Sequence, residues 1–374
     1  MGSRLLRLLS IGGVLADASP FLLGIRNTSF PRLAYSTWVG WYLQGGLNET
    51  VLYSQALAMS TQLKPFGWNL ILHDYGWQVC GSTFDPQMGC VRVDPNGRLY
   101  PDGERYPSSA LPGGRDGDFK PFTDRLHALG LGFGLHLIHG IPKLAVRDAL
   151  PIAGSAYTAA DIADRGCSTF IPDNFAVNAS HPGAQAYYDS VVAKFAQWGI
   201  DFVYFDGVPD CGECHLGELR LLADAASRLG NGLFIYMSYG SSKCPAAEVF
   251  AAGAAYARLS CDTVDSWPTL LANWEAAAAT ASLTGPGHFG DLASLMVGAV
   301  HRDGGAPGPD YVIPSPQSSL TEDEVVGYAS LVAMSRSTWW PSGALVSFDT
   351  NYPTEPPLRT QNPAPKKQTL TRTP

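Results

Sequence analysis

Three carboxylates fall where strand-like runs stop. Asp74 follows the apolar stretch Asn69–His73, Asp206 follows Phe202–Phe205, and Asp262 follows Ala255–Ser260 and Cys261, with Asp265 and Trp267 close behind. An acid at the end of a buried strand is costly unless it is paired or reaches water. If the strands run parallel and close into a barrel, their C-terminal ends share one face, and acids at several ends converge there. Two carboxylates flanking a glycosidic bond can cleave it. One attacks the anomeric carbon, and the other protonates the leaving oxygen and later activates water. A single strand-end Asp is more often a helix cap. Three of them beside Trp38, Trp77 and Trp267 favour a sugar site.

Positioning these acids requires an alternation of strands and helices. Short β-type runs occur at Leu33–Thr37, Asn69–His73, Gly132–Ile138, Phe202–Phe205, Leu233–Ser238 and Ala255–Ser260. Between them lie helix-like stretches, ETVLYSQALAMSTQL, FKPFTDRLHALG, PGAQAYYDSVVAKFAQWG and LGELRLLADAASRLG. Pro182 near one start and the closing glycines are ordinary helix signals. Strand, loop and helix in repetition predict an α/β fold on a parallel sheet, closed as a barrel or open. Residues 78–117 are rich in Gly, Pro and Asp, and a loop of that length is expected to be functional and to overhang the mouth.

A net charge of −8 supplies no basic surface, which sets nucleic acid aside as a partner. The sequence has no run of eighteen apolar residues, so no spanning helix and no membrane partner are expected. Residues 1–30 carry signal-peptide features: Arg4 and Arg7 near the start, the apolar stretch Leu8 to Ala16 and the small-residue match Ala16-Asp17-Ala18. Three sequons, at Asn27, Asn48 and Asn178, agree with a secreted or lysosomal/vacuolar glycoprotein. Of the seven cysteines, Cys80 with Cys90 and Cys244 with Cys261 are plausible disulfide pairs, and one of Cys167, Cys211 and Cys214 is left over. Cys211-Gly-Glu-Cys214 has metal-ligand spacing, but with no second such pair a structural zinc is not expected.

From Pro31 to Leu345 the chain resembles glycoside hydrolase family 27, the α-galactosidase or melibiase type. PRLAYSTW is similar to the family's opening P-x-x-G-W-N-S-W, and LKPFGWNLILHDYGW to the stretch ending in D-D-x-W. DPNGRLYPDGERYPS resembles D-x-x-G-R-L-x-P-D-x-x-R-F-P, and TGPGHFGDLASLMVG resembles G-P-G-G-W-N-D-P-D-M-L. GIPKLAVRDALPIAGSAYTAADIAD points to the bacterial and plant subset with G-I-P after the third strand. The resemblance implies a (β/α)8 TIM barrel over residues 31–346 and a retaining exo-glycosidase that uses no cofactor or metal. Its substrate is a carbohydrate bearing a terminal α-galactosyl or similar residue. The alternatives are another terminal sugar, β-L-arabinopyranose or α-N-acetylgalactosamine, or a weakened, glycan-binding barrel. Relatives usually carry a β-sandwich after the barrel. The Pro-rich residues 347–374 have no pattern to build one and are expected to be disordered. Nothing in the sequence fixes an oligomeric state.

Carried over position by position, Asp206 falls on the family's nucleophile and Asp262 on its acid/base. The implied substrate-binding set is Trp38, His73, Asp74, His136, Tyr204, Ser238, Arg258 and Asp291. Arg258 either holds a sugar hydroxyl or orients Asp262. Four positions depart from the family: Tyr204 stands where Lys is usual, His73 replaces the first Asp of D-D-x-W, and Phe289 and Ala293 replace Trp and the second Asp of the G-P-G block. His73 would then face a C6 hydroxyl. His136 and His139 end the third strand. Either can touch substrate, or one packs inside the fold as a neutral, hydrogen-bonded imidazole.

Overall fold

The computed structural model describes residues 31–38, 47–78, 91–110, 117–167, 169, 173–208, 212–239, 245–260, 266–296 and 320–342. Eight parallel strands close into a barrel: β1 (Leu33–Ser36), β2 (Trp68–His73), β3 (Gly132–Ile138), β4 (Phe202–Val208), β5 (Phe234–Tyr239), β6 (Tyr256–Arg258), β7 (Phe289–Met296) and β8 (Thr338–Ser342). The last pairs with the first, Leu33 opposite Trp339 and Ser36 opposite Ser342. The expected α/β barrel is therefore the fold. Helices α1 (Glu49–Gln62), α2 (Lys120–Ala128), α3 (Ala184–Gln197), α4 (Glu213–Leu229), α5 (Ala246–Ala251), α6 (Trp267–Thr280) and α7 (Glu322–Met334) connect successive strands.

Side chains alternate across the barrel wall with period two. Ala34, Leu70, Leu72, Phe202, Tyr204, Phe234, Tyr236, Tyr256, Phe289 and Trp340 fill the interior. Tyr35, Ile71, Phe133, Leu135, Val203, Phe205, Ile235 and Met237 pack outward against the helices. Burial on both faces explains why the strands read as continuous apolar runs. The interior rings are tiered: Phe202 stacks on Phe234 at 5.2 Å, and above them Tyr204, Tyr236 and Tyr256 stack at 4.8 and 5.3 Å. Gly134 leaves room for this, since a Cβ there would lie 2.2 Å from the Phe202 ring.

The described part of the long Gly/Pro/Asp-rich segment is not a free overhang. Buried Asp94 accepts hydrogen bonds from Asn96 N and Arg98 N, from the Arg98 guanidinium, and from Lys194 Nζ of α3 at 2.7 Å. The Arg105 guanidinium donates to the carbonyls of Leu47 and Gly76. The ordered polar residues of this block thus strap the loop to the barrel's flank.

Between β3 and α3 an insertion folds into a small antiparallel sheet, Ile141–Pro142, Asn174–Val177 and Ala163–Asp164. Gly140 (φ 96°) makes its entry turn, where a Cβ would meet the Phe175 carbonyl at 2.3 Å. A disulfide between Cys167 and Cys214 ties the insertion to the start of α4. The other five cysteines lie outside the described residues, as does Asn27. Asn48 caps α1, accepting from Val51 N, and Asn178 is exposed. Among the described residues no helix is long and apolar enough to cross a membrane. The proposed N-terminal segment and Pro-rich tail also lie outside the described residues.

Candidate active site at the barrel mouth

On β4 the inward positions run Phe202, Tyr204, Asp206, so the carboxylate stands above two aromatic tiers at the strand's C-terminal end. The register slips after Phe205, and Gly207 takes a positive φ of 79°. The Asp206 side chain is 24% exposed. His136, opposite Tyr204 on β3, is 2% exposed and places Nε2 2.9 Å from Asp206 Oδ2. The same nitrogen lies 3.9 Å from Asp74 Oδ1. A carboxylate only accepts, so His136 carries its Nε2 proton.

Burial alone would raise the Asp206 pKa. The hydrogen bond and charge of His136, the charge of Arg258 and the Gly207 N–H outweigh it and hold the carboxyl at about 2. Burial likewise pulls His136 down, and Arg258 adds to that, but Asp74 and Asp206 overcome both and raise its pKa. Asp206 is accordingly an ionised carboxylate in a wall that opens to the mouth.

Asp74 is fixed from both sides. Its Oδ1 accepts from Tyr75 N at 2.7 Å, and its own N–H donates to Thr37 Oγ1 at 2.9 Å. Arg258 ends β6 directly opposite Asp291 on β7. Asp291 is 1% exposed, and burial lifts its pKa to about 6, against the pull of the Tyr236 hydroxyl, Arg258 and the Ala293 N–H. Ala293 itself sits at φ 66°, a region that costs a Cβ-bearing residue strain and favours Gly, Asn or Asp. Ser238 is fully buried two residues beyond Tyr236, and its Oγ has no hydrogen-bond partner among the described residues. Trp38, half-buried, lies two residues past the end of β1 and is anchored by its N–H to Ser36 Oγ. Asp262 and Asp265 lie outside the described residues.

His73 is a correction. It sits on the helix-facing side of β2, fully buried, its ring against Tyr106 and Phe133. Nδ1 is 2.6 Å from the Asp74 carbonyl, and Nε2 takes the Tyr106 hydroxyl. Burial and the Arg105 charge lower its pKa to about 3, so it is a neutral structural imidazole. Its neighbour Leu72 holds the inward place, so parity keeps His73 out of the mouth. Trp77 is also a core residue, packed on Phe119, Phe195 and Trp198, although its Nε1 donates to the His136 carbonyl at 2.8 Å. Trp267 begins α6 and packs near Leu292 and Tyr328. His139 is the packed histidine, bonded through Nδ1 to buried Glu218 at 3.2 Å.

Three contributors were not anticipated. Tyr236 and Trp340 build the floor, with Trp340 Nε1 donating to the Tyr236 hydroxyl at 3.0 Å, and Tyr75 stands edge-on to His136. The period-two spacing of Phe234, Tyr236 and Ser238 carried the signal for Tyr236; Trp340 had none. Away from the mouth, Cys167, Cys214 and His215 have donor atoms within metal-ligating reach of one another, but the two sulfurs are bonded to each other.

No family model matches the chain. The β-L-arabinopyranosidase of family 27 from Geobacillus stearothermophilus shares 30% identity, with a TM-score of 0.74 over 88% of this chain and 74% of its own. The chain belongs to glycoside hydrolase family 27. A variant of that enzyme has been solved in complex with arabinose, with a TM-score of 0.75 to this chain. The α-galactosidase of Oryza sativa subsp. japonica is 21% identical over 72% of this chain. This chain spans 51% of that relative's length. The α-galactosidase I of Mortierella vinacea, 16% identical over 86% of this chain and 68% of its own, shares the fold with a TM-score of 0.55.

Proposed function

We propose that the chain is a retaining exo-glycosidase that removes a terminal galactose-configured pyranose from an oligosaccharide or glycoconjugate. The observation that carries this reading is Asp206, an acid held near pKa 2 at the mouth of a closed barrel, partly open to solvent. In the first step an Asp206 oxygen attacks the anomeric carbon, the glycosidic C–O bond breaks, and Asp262 gives its proton to the departing oxygen. A covalent glycosyl ester results. In the second step Asp262 takes a proton from water, the hydroxide attacks the same carbon, and Asp206 leaves as a carboxylate. Trp38, Asp74, Tyr204, Ser238 and Arg258 are the groups proposed to hold the sugar, with Asp291 bracing Arg258 from the neighbouring strand.

An α-galactoside is the first substrate to test. A second reading, β-L-arabinopyranoside, is favoured by a specific observation. His73, the residue expected to face a C6 hydroxyl, is turned into the helical layer, and arabinopyranose has no C6 group. The 30% identity to an arabinopyranosidase points the same way. The disulfide supports an oxidising compartment, in line with a secreted or lysosomal/vacuolar enzyme. The test is hydrolysis of nitrophenyl α-galactoside, α-N-acetylgalactosaminide and β-L-arabinopyranoside by the wild-type chain and by Asp206→Asn. Turnover of one that vanishes in the variant is expected. No turnover of any by folded wild-type protein sinks the reading in favour of a glycan-binding barrel.

A further inference from the structure

We infer that His136 is a positioning residue for the reaction: its Nε2–H pins one oxygen of the Asp206 carboxylate, so that the other oxygen makes the attack. The inference rests on Asp206 being the nucleophile, as proposed above.

The imidazole has little freedom to do anything else. It is 2% exposed, its ring stands edge-on to Tyr75 at 5.7 Å and tilted against Tyr204 at 5.9 Å, and its carbonyl is held by Trp77 Nε1. Its only described hydrogen bond points at Asp206 Oδ2, and its Nδ1 is buried without a partner among the described residues. The groups that face it are Asp74 and Tyr75 beyond β2, Tyr204 and Asp206 on β4, and Arg258 on β6, with His73 on the far side of the barrel wall. Two carboxylates and one guanidinium thus surround the imidazole, and the carboxylates favour its protonated form.

The placement matters to both chemical steps. Before attack, the hydrogen bond fixes the carboxylate plane, because rotation about Cβ–Cγ would break it. After attack, Oδ2 becomes the carbonyl oxygen of the glycosyl ester. A donor on that oxygen stabilises the carboxylate as it departs when water attacks. Removing the donor is thus expected to slow breakdown of the ester more than its formation, and to raise the pH at which Asp206 takes up a proton.

The test uses two variants of the whole chain. His136→Gln keeps an N–H donor that can reach the Nε2 position but never carries charge, and His136→Leu removes both. Each is checked for fold by circular dichroism, then assayed for the pH profile of kcat/KM and for pre-steady-state bursts on whichever nitrophenyl glycoside is turned over. A matching 2-deoxy-2-fluoro glycosyl fluoride is used to trap the covalent intermediate, and the labelled peptide is identified by mass spectrometry. The expected result is label on Asp206 in all three proteins. The acidic limb moves up by about one pH unit in Gln and further in Leu, and kcat falls about a hundredfold in Leu with a burst that wild type lacks. Label on Asp206 with an unmoved acidic limb in the Gln variant overturns the positioning role, even if Leu does not fold. Label on another residue, or no label at all, overturns the nucleophile assignment instead.

Discussion

Two carboxylate–imidazole pairs stand within a few residues of each other and do opposite things. At the mouth, His136 gives Asp206 one hydrogen bond at 2.9 Å and leaves the side chain 24% exposed. Behind it, Glu218 of α4 is fully buried, accepting from Gly140 N at 2.7 Å, Val177 N at 2.9 Å, His139 Nδ1 at 3.2 Å and the Tyr188 hydroxyl. The His139 N–H also donates to the Asp206 carbonyl, so the two pairs share a backbone link. Glu218 has its acceptor sites filled by the protein and clamps the insertion to the barrel. Asp206 keeps capacity in reserve. Residue type is the same in kind; the number of committed partners separates an acid fixed in the structure from one proposed to react.

The comparison is broken or sharpened by a graded set of changes. Asp206→Asn has the largest expected effect. Turnover of the preferred nitrophenyl glycoside falls by about 10⁴ or more, equivalent to at least roughly 5 kcal/mol of barrier, well beyond the roughly 2–3 kcal/mol of stability that goes with the ionised carboxylate. Glu218→Gln should do the reverse. It leaves buried donors facing the wrong partner and costs about 3–5 kcal/mol of stability in a urea melt, yet the folded fraction keeps its kcat. A Glu218 variant that loses rate without losing stability would erase the distinction.

Acid titration comes next. The folded Asp206 pKa is about 2, below the roughly 3.9 of an unfolded Asp. Its contribution to stability is therefore full above about pH 4 and is lost as pH falls through 2. It amounts to roughly 2–3 kcal/mol. Thermal melts between pH 5 and 2 should show a shallower decline in Asp206→Asn than in wild type. The smallest change is a matched pair of hydroxyl deletions. Tyr188→Phe is expected to cost about 1–2 kcal/mol of stability, because a hydrogen bond to buried Glu218 is lost. Tyr204→Phe keeps its ring stacking on Tyr236, so it should leave the melt unchanged and alter KM only a few-fold.

Much of this arrangement is legible in the sequence. The first six strands show themselves as apolar β-type runs, and Asp74 and Asp206 are readable as strand-end residues because strand ends share a face in a parallel barrel, whereas Arg258 is implied only by the family resemblance. The strands β7 and β8 are not, since FGDLASLM carries Gly, Asp and Ser, and TWWPS contains a proline. His73 departs from its expected place for a reason the sequence holds: Leu72 and His73 cannot both face inward, and Leu72 does. Trp77, close after Asp74 in sequence, stands beside the strand-end acids only in the chain order, because the chain turns back into the helical layer there. Glu218 was invisible for a different reason. It sits in an ordinary amphipathic helix, and its four partners lie at residues 139, 140, 177 and 188, a contact set that only tertiary structure defines. The Cys167–Cys214 pairing was hidden in the same way.

The closure of the barrel sets a clock. Leu33 on β1 pairs with Trp339 on β8, roughly 300 residues later in the chain. A ribosome adding about 5–20 residues per second needs on the order of 15–60 s to make the second after the first. For all that interval one edge of β1 has no lateral neighbour, and an unpaired edge is a template for pairing with another chain. The nascent barrel must be shielded for that long, so its yield in a cell should depend on how fast it is translated and on what binds its open edge meanwhile.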